Sequence, residues 1–119
     1  MATAEVVLLG SPIYYGYVTG QLKSCLDRFY AFKDGRREPR LPAGKRSLLV
    51  LVQGASGEDH YLWTASSLQK VLTSYGLDST LLVLPGCEEM GALRHRPALL
   101  EKVREAGQKL KNPLSPAPA

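Results

Sequence analysis

The stretch Glu5-Val6-Val7-Leu8-Leu9-Gly10-Ser11-Pro12 decides the fold of this 119-residue chain. Its first half is mostly apolar and β-branched, and Gly10-Ser11-Pro12 ends the run. A short apolar run of this kind is typical of a strand that is buried on both faces of a parallel sheet. The stretch therefore predicts an opening β-strand of an α/β fold.

A helix is predicted after this strand, because apolar residues recur at spacings of three and four. They are Val18, Leu22, Cys25, Leu26 and Phe29. Thr19 is a suitable N-cap for the helix. The region 33–46 contains Asp34-Gly35, two prolines and Gly44, and we expect a loop there.

The same alternation occurs twice more. Residues 47–52 and 79–84 are predicted strands, and an amphipathic pattern follows each of them. The apolar positions are Leu62, Ala65, Leu68, Leu72 and Tyr75 in the second helix, and Leu99, Val103, Ala106 and Leu110 in the third. We expect Asp59 to cap the second helix and Gly76 to end it. Three strands alternating with three helices predict the α/β class with a parallel sheet.

Composition fits one small domain, since 45% of the residues are hydrophobic and 22% are charged. We expect the domain to cover 1–111 and a disordered, proline-rich tail to cover 112–119. The longest apolar run, 48–52, is far shorter than the ~20 residues of a membrane-spanning helix, so no membrane partner is expected. The first five residues lack the basic character of a secretory signal.

The two cysteines, Cys25 and Cys87, are too few and too far apart for a disulfide scaffold or a metal site. A cytoplasmic location is therefore the expectation.

The formal charge is +4, which permits an anionic ligand without requiring one. Six cations within 33–46 could meet the phosphates of a nucleotide, although a solvated loop explains them better. A nucleic-acid partner has no further support and is not expected.

Three loops follow the strands at 10–18, 53–59 and 85–96, and ligands of parallel sheets bind at this edge. The first loop holds Tyr14, Tyr15 and Tyr17, whose rings need a flat partner if they are exposed. That partner is either a planar ligand or protein, namely a neighbouring subunit or the helix below. The residues alone leave both alternatives open.

The segment from Leu9 to Arg28 resembles the signature of the NADPH-dependent FMN reductase and multimeric flavodoxin family. The matching pattern is Ser11-Pro12-Ile13-Tyr14-Tyr15-Gly16, followed by Gln21-Leu22-Lys23 and Asp27-Arg28. Gln53-Gly54 and Glu105-Ala106-Gly107-Gln108-Lys109-Leu110 are compatible with it, so that the resemblance covers about 4–110.

The resemblance implies a flavodoxin-like three-layer sandwich with strand order 2-1-3-4-5. The first strand of this chain corresponds to the family's third strand. The first two strand–helix units, including the loop that grips the FMN phosphate, are therefore expected to be lacking.

The resemblance also implies which residues contact FMN. In the first loop they are Ser11, Pro12, Ile13, Tyr14, Tyr15 and Gly16. In the second loop they are Gln53, Gly54, Ala55 and Ser56, which we expect to open a helix and to present main-chain N–H groups to the reduced flavin. No catalytic side chain and no metal ligand are expected, because the flavin carries the chemistry.

Two functions remain open. The first is an FMN-dependent NAD(P)H oxidoreductase, or its C-terminal part, that passes electrons to a small-molecule acceptor. The second is a truncated flavodoxin-like module without tight FMN or activity of its own, serving as an interaction domain. In both cases the absent strands would expose one edge of the first strand, so we expect a homo-oligomer formed through that strand.

Overall fold

Strand β2 (Arg46–Val52) is the centre of the sheet in the computed structural model, which describes residues 3–111. Strands β1 (Val6–Pro12) and β3 (Asp78–Leu84) pair with β2 on either side, both in parallel. The strand order is therefore β1-β2-β3. The predicted parallel sheet is confirmed, and each strand begins within one residue of the expected position.

Three α-helices connect and follow the strands, and their bounds are α1 (Gly20–Arg28), α2 (Leu62–Ser74) and α3 (Pro97–Lys111). Short 3₁₀ helices lie at Phe29–Phe32 and Ala92–His95. The hydroxyl oxygen of Thr19 accepts a 3.2 Å hydrogen bond from the main-chain nitrogen of Leu22, which confirms the expected N-cap of α1. Gly76 follows α2 with a φ of +83°, as expected for a residue that ends a helix.

The expected cap of α2 is wrong. The helix begins at Leu62, and no side chain caps its first turn. Asp59 lies in a turn before the helix, where its main-chain carbonyl accepts a 3.1 Å hydrogen bond from the nitrogen of Leu62. The turns after β2 are longer than the sequence pattern indicated, so Asp59 is too far from the helix to serve as its cap.

Helices cover both faces of the sheet. Leu49 and Leu51 of β2 are fully buried against α1 and α2, in a cluster that includes Leu22 and Leu68. Leu48 faces the opposite way and packs in a second cluster with residues of β3 and α3. The three-layer α/β sandwich is confirmed.

Strand β1 differs from the expectation that both of its faces are buried. Leu9 packs against the cluster under α1 and α2, but the side chain of Leu8, on the α3 side, is 65% exposed. The reason is that β1 lies at the edge of the described sheet, beyond the reach of α3. Pro12 is tolerated in this strand because its position faces away from β2, where a missing N–H costs no ladder hydrogen bond.

The tail expected over 112–119 lies outside the described residues. Within 3–111, every helix is too short or too polar to cross a bilayer. The same part of the chain contains no grouping of three or more His, Cys, Asp or Glu side chains suited to a metal ion.

Candidate functional site

The first loop at the carboxyl edge of the sheet is built around a tight turn over Tyr14-Tyr15-Gly16-Tyr17. Tyr14 and Tyr17 exchange two main-chain hydrogen bonds of 2.8 and 3.1 Å. Tyr15 and Gly16 between them have φ values of +51° and +82°. Positive φ at both central residues is characteristic of a type I′ turn, which favours glycine or asparagine rather than tyrosine. The turn therefore holds Tyr15 in a strained conformation.

Helix α2 fixes the position of this turn. The hydroxyl of Thr64 donates a 2.6 Å hydrogen bond to the carbonyl oxygen of Gly16, and Thr64 itself is buried. The ring of Tyr61 lies 3.7 Å from the place that a side chain on Gly16 would occupy. The turn is thus anchored from below at Gly16, while the side chain of Tyr15 is fully exposed.

The tyrosine rings of the turn have different surroundings. Tyr14 is 64% exposed and Tyr15 is fully exposed, whereas Tyr17 packs partly against the core. Neither Tyr14 nor Tyr15 is therefore covered by the helix below, so a planar ligand and a neighbouring subunit remain as partners for these two rings. Both phenol groups are available to a flat partner.

Three other first-loop residues serve the fold. The buried hydroxyl of Ser11 donates to the carbonyl of Pro12 at 2.8 Å and accepts a 3.0 Å hydrogen bond from the nitrogen of Thr19. This pair of bonds closes the loop between the strand and α1. The side chain of Ile13 lies in the core beneath the sheet edge. Pro12 is half-buried at the end of β1.

The second loop is organised by Gln53, whose side chain is buried. Its amide nitrogen donates to the carbonyl oxygens of Ala55 and Gly57, at 3.1 and 2.6 Å. Gln53 therefore shapes the loop from inside. Gly54 and Ser56 are exposed at the surface of the loop, and Ala55 is half-buried.

The expectation that this loop opens a helix is wrong. The stretch from Gln53 to Gly57 is followed by turns, and α2 starts only at Leu62. The positive end of the helix dipole acts within the first turn, so it does not reach the main chain at Gln53 or Gly54. Main-chain N–H groups of this loop could still bind an anion, but the dipole of α2 would not strengthen that binding.

The third loop joins the second one directly. Gly86 donates its N–H to the carbonyl of Ala55, and Cys87 donates to that of Gln53, both at 2.9 Å. A charged cavity of about 390 Å³ opens beside these bonds and is lined by Gly86, Glu88, Glu89, Ala92, His95 and Arg96. The side chain of Glu88 also lies 3.7 Å from the place of a side chain on Gly54. The second and third loops thus form one surface, and no residue of the tyrosine turn lines its cavity.

Arg96 holds the third loop in shape. Its guanidinium donates a 2.9 Å hydrogen bond to the carbonyl of Pro85. Gly86 has a φ of +64°, and the same guanidinium occupies the space where a side chain on Gly86 would begin. Only glycine fits this position without moving Arg96.

Two pKa shifts occur away from the three loops. The carboxylate of Asp27, hydrogen-bonded to the Lys23 ammonium at 2.5 Å, raises the pKa of that lysine. Burial raises the pKa of the Tyr75 phenol, and the neighbouring Tyr30 adds to the effect. Both groups line a groove between α1 and α2, so neither shift marks an acid or base at the carboxyl edge.

Sequence reasoning did not identify Thr64 or Tyr61 as parts of the site. They lie 48 and 45 positions after Gly16 along the chain, and their contact with the turn depends on how α2 packs. Arg96 was also missed, because its role depends on the fold of the third loop. No local pattern signals such long-range contacts.

The sheet order, the covering helices and the loops at the carboxyl edge define a flavodoxin-like α/β domain. The model of the NADPH-dependent FMN reductase family matches residues 1–88, and the chain belongs to this family. None of the curated proteins matches the chain.

Solved structures support the same fold. One is an NADH:FMN oxidoreductase in its apo form, with a TM-score of 0.67, 21% identity and coverage of 98% of this chain. A second is an FMN-dependent NADH-azoreductase from Bacillus anthracis in complex with FMN, with a TM-score of 0.72, 17% identity and 93% coverage. A third is the Trp repressor binding protein from Bacillus subtilis, with a TM-score of 0.56, 17% identity and 98% coverage of this chain and 72% of its own.

The alignment covers only part of the chain in each of the first two structures. This chain covers 57% of the NADH:FMN oxidoreductase chain and 58% of the azoreductase chain. The chain therefore spans a little over half the length of these two proteins. What each of them binds or reduces is a property of the longer chain.

Proposed function

We propose that this chain provides the flavin-ring side of an FMN-dependent NAD(P)H oxidoreductase that reduces a small-molecule electron acceptor. The proposal rests on membership of the NADPH-dependent FMN reductase family. The single structural observation that carries it is the strained Tyr14–Tyr17 turn, which presents two exposed rings at the edge of the sheet where ligands of such folds bind.

The conformational strain at Tyr15 supports a role of the turn in ligand binding. A non-glycine residue with positive φ costs of order 1 kcal/mol, and such strain concentrates at binding sites. Exposed aromatic rings also leave their burial energy unused until a partner covers them. A planar isoalloxazine ring fits both observations, since stacking on Tyr14 or Tyr15 would bury the rings that the turn holds in water.

These loops offer fewer groups that could bind the phosphate of FMN than groups that could contact its ring. The aliphatic hydroxyls in and next to the first loop, those of Ser11 and Thr19, are both used to hold the loop and the helix cap together. Charge-assisted hydrogen bonds to a phosphate supply much of the affinity of a nucleotide site. We therefore expect the chain on its own to bind FMN weakly, through the ring.

When bound, FMN would supply the redox chemistry, which is hydride transfer from a nicotinamide and electron transfer to the acceptor. The residues of this chain position the ring. Tyr14 and Tyr15 would contact one side of it, and Gly54 and Ala55 would bring main-chain groups close to its edge. Thr64 and Gln53 act as positioning residues, because each fixes one of these loops from inside the fold.

A second candidate function is an interaction module of flavodoxin-like fold without tight FMN. The observation that favours it is the partial match, since the chain spans only 57–58% of the two FMN-related structures. Such a module would use the same exposed rings against a protein surface. For either function, the free thiols of Cys25 and Cys87 agree with the reducing cytoplasm that we propose as the location.

The experiment is a titration of the purified chain with FMN, followed by quenching of flavin fluorescence. We expect saturable binding that Tyr15→Ala weakens about 3- to 10-fold, the loss of one aromatic contact. Tyr30→Ala is the matched control, because Tyr30 is as exposed as Tyr14 but lies in the 3₁₀ helix after α1. A chain that does not quench flavin fluorescence at millimolar FMN supports the interaction module instead.

A further inference from the structure

The segment before β2 carries a strong local excess of positive charge. Residues 33–46 hold six cations and only two carboxylates, Asp34 and Glu38, so their formal charge is +4. The formal charge of the 119-residue chain is also +4, which means that its other residues together are neutral. A local excess of one charge sign attracts a ligand or partner of the opposite sign.

Three of these cations stand at the surface without a partner. Lys45 is buried and Arg46 is half-buried, whereas Arg36, Arg37 and Arg40 are exposed. None of these three guanidinium groups forms a hydrogen bond or an ion pair with another residue of the described 3–111. Their charge is therefore free to meet an anionic group from outside.

The three arginines belong to a loop over 33–40, which we call the arginine loop, and its own hydrogen bonds give it a definite shape. One carboxylate oxygen of Asp34 accepts hydrogen bonds from the main-chain nitrogens of Arg36 and Glu38, at 2.8 and 2.9 Å. The carbonyl of Asp34 accepts a further 2.9 Å bond from the nitrogen of Arg37, whose φ is +62°. Arg36 and Arg37 are thus held side by side at the tip of the loop.

The base of the arginine loop packs against the end of α2. The ammonium of Lys33 donates a 3.2 Å hydrogen bond to the hydroxyl of Ser74 and lies 4.6 Å from the centre of the Tyr75 ring. Pro39 lies 3.8 Å from the place that a side chain on Gly76 would occupy. These contacts fix the loop on the α2 side of the molecule, away from the outer edge of β1. A further strand paired with that edge would not lie against the arginines.

The arginine loop and the tyrosine turn lie at opposite edges of the sheet. The loop precedes β2, whereas the turn follows β1, and the two strands pair in parallel over their seven residues. A strand rises about 3.3 Å per residue, so about 20 Å separate the two edges. A flavin stacked on the tyrosine turn therefore leaves the three arginines free for a separate partner.

We propose that the arginine loop is a docking site for an acidic segment of another protein. A guanidinium binds a carboxylate through two parallel hydrogen bonds, so three arginines within five residues fit a run of Asp or Glu side chains. Residues 33–46 contain no aromatic side chain on which a nucleic-acid base could stack. Their one large aliphatic side chain, Leu41, packs against the core and is not available for insertion into a membrane.

The proposed docking site is independent of flavin binding, so it is tested without FMN. The probe is a fluorescein-labelled peptide of about ten consecutive glutamates, whose fluorescence anisotropy rises when it binds. We expect saturable binding at about 50 mM salt that is lost at about 500 mM salt, because salt screens exposed ion pairs. In NMR spectra, the peptide should shift the main-chain amide signals of residues 34–40 and leave those of Tyr15 and Gly16 in place.

Two triple variants distinguish the arginine loop from the general charge of the chain. The test variant carries Arg36→Gln, Arg37→Gln and Arg40→Gln. It should bind the peptide about 10-fold more weakly or worse, since three exposed ion pairs are lost. The matched control removes the same charge from exposed positions elsewhere, with Arg94→Gln, Lys102→Gln and Arg104→Gln. It should weaken binding by less than about 3-fold, because charges beyond a Debye length are screened.

Three results would overturn the proposal. One is a peptide that does not bind at low salt, and another is an equal loss of affinity in the two triple variants. The third is tighter binding to a different polyanion, either a ten-nucleotide oligothymidylate or vesicles that contain phosphatidylserine. Such a preference would make the partner of the arginine loop a nucleic acid or a membrane instead of an acidic protein segment.

Discussion

The hydroxyl of Thr64 donates a 2.6 Å hydrogen bond to the carbonyl oxygen of Gly16, joining the first turn of α2 to the turn that carries Tyr14 and Tyr15. This one contact spans 48 positions of sequence. It ties the geometry of the candidate ring-binding loop to the packing of a helix that contributes Ala65, Leu68 and Leu72 to the core.

Replacing Thr64 with valine removes this hydrogen bond while keeping the shape of the side chain. We expect a loss of about 1–3 kcal/mol in the free energy of unfolding, because the carbonyl of Gly16 loses its buried donor. Urea denaturation measures the loss. Thr73→Val is the control, since the Thr73 hydroxyl bonds to the Gln69 carbonyl on the exposed side of α2 and its removal should cost less than 1 kcal/mol. Equal losses in both variants would contradict a special role for Thr64.

Tyr15→Gly should separate stability from binding. Glycine adopts positive φ without steric penalty, so relief of the strain at φ +51° should stabilise the fold by about 0.5–1 kcal/mol. The same change removes one exposed ring and should weaken FMN about 3- to 10-fold. Arg37→Gly is the matched control, because Arg37 also has positive φ, at +62°, but lies in the loop before β2. It should gain stability with no change in FMN affinity. A Tyr15→Gly variant that binds FMN as the parent does would remove the ring contact from the proposal.

The layers of the fold could be predicted from the sequence because local patterns determine them. Short apolar runs gave three parallel strands, and spacings of three and four gave three helices within a few residues of their bounds. The burial of β1 could not be predicted in this way. An apolar run is the same in a central strand and in an edge strand, and only the neighbours decide whether Leu8 is covered.

The candidate site could be predicted only in part. The tyrosines and glycines of the first loop are local signals, and the turn they form is where the sequence placed it. The second loop was misjudged at Asp59 and at the start of α2, because turn lengths are weakly encoded in a polar segment. The contacts of Thr64, Tyr61 and Arg96 depend on tertiary packing and leave no local signature.

Gln53 provides a test of the second loop. Its buried amide donates to two carbonyl oxygens, those of Ala55 and Gly57. Gln53→Leu should cost about 2–4 kcal/mol in the free energy of unfolding, since two hydrogen bonds are lost at a buried position. Gln69→Leu removes a single bond, to the Ser79 carbonyl, at a half-buried position, and should cost about half as much. Chemical denaturation of both variants gives the comparison, and a Gln53→Leu variant as stable as the parent would show that the loop holds its shape without the amide.

A pair of glycine substitutions tests whether the tyrosine turn requires its backbone conformation. Gly16 has a φ of +82°, a conformation that L side chains rarely adopt, so Gly16→Ala should cost about 1 kcal/mol or more in the free energy of unfolding. Gly107 lies inside α3 with open space around it, so Gly107→Ala should instead stabilise the chain by about 0.5–1 kcal/mol. The two variants add the same methyl group and should move the unfolding midpoint in opposite directions. Gly16→Ala should also weaken FMN, because Tyr15 and Gly16 form the turn together. A stabilising effect of Gly16→Ala would mean that the turn relaxes freely and holds no ring in a fixed position.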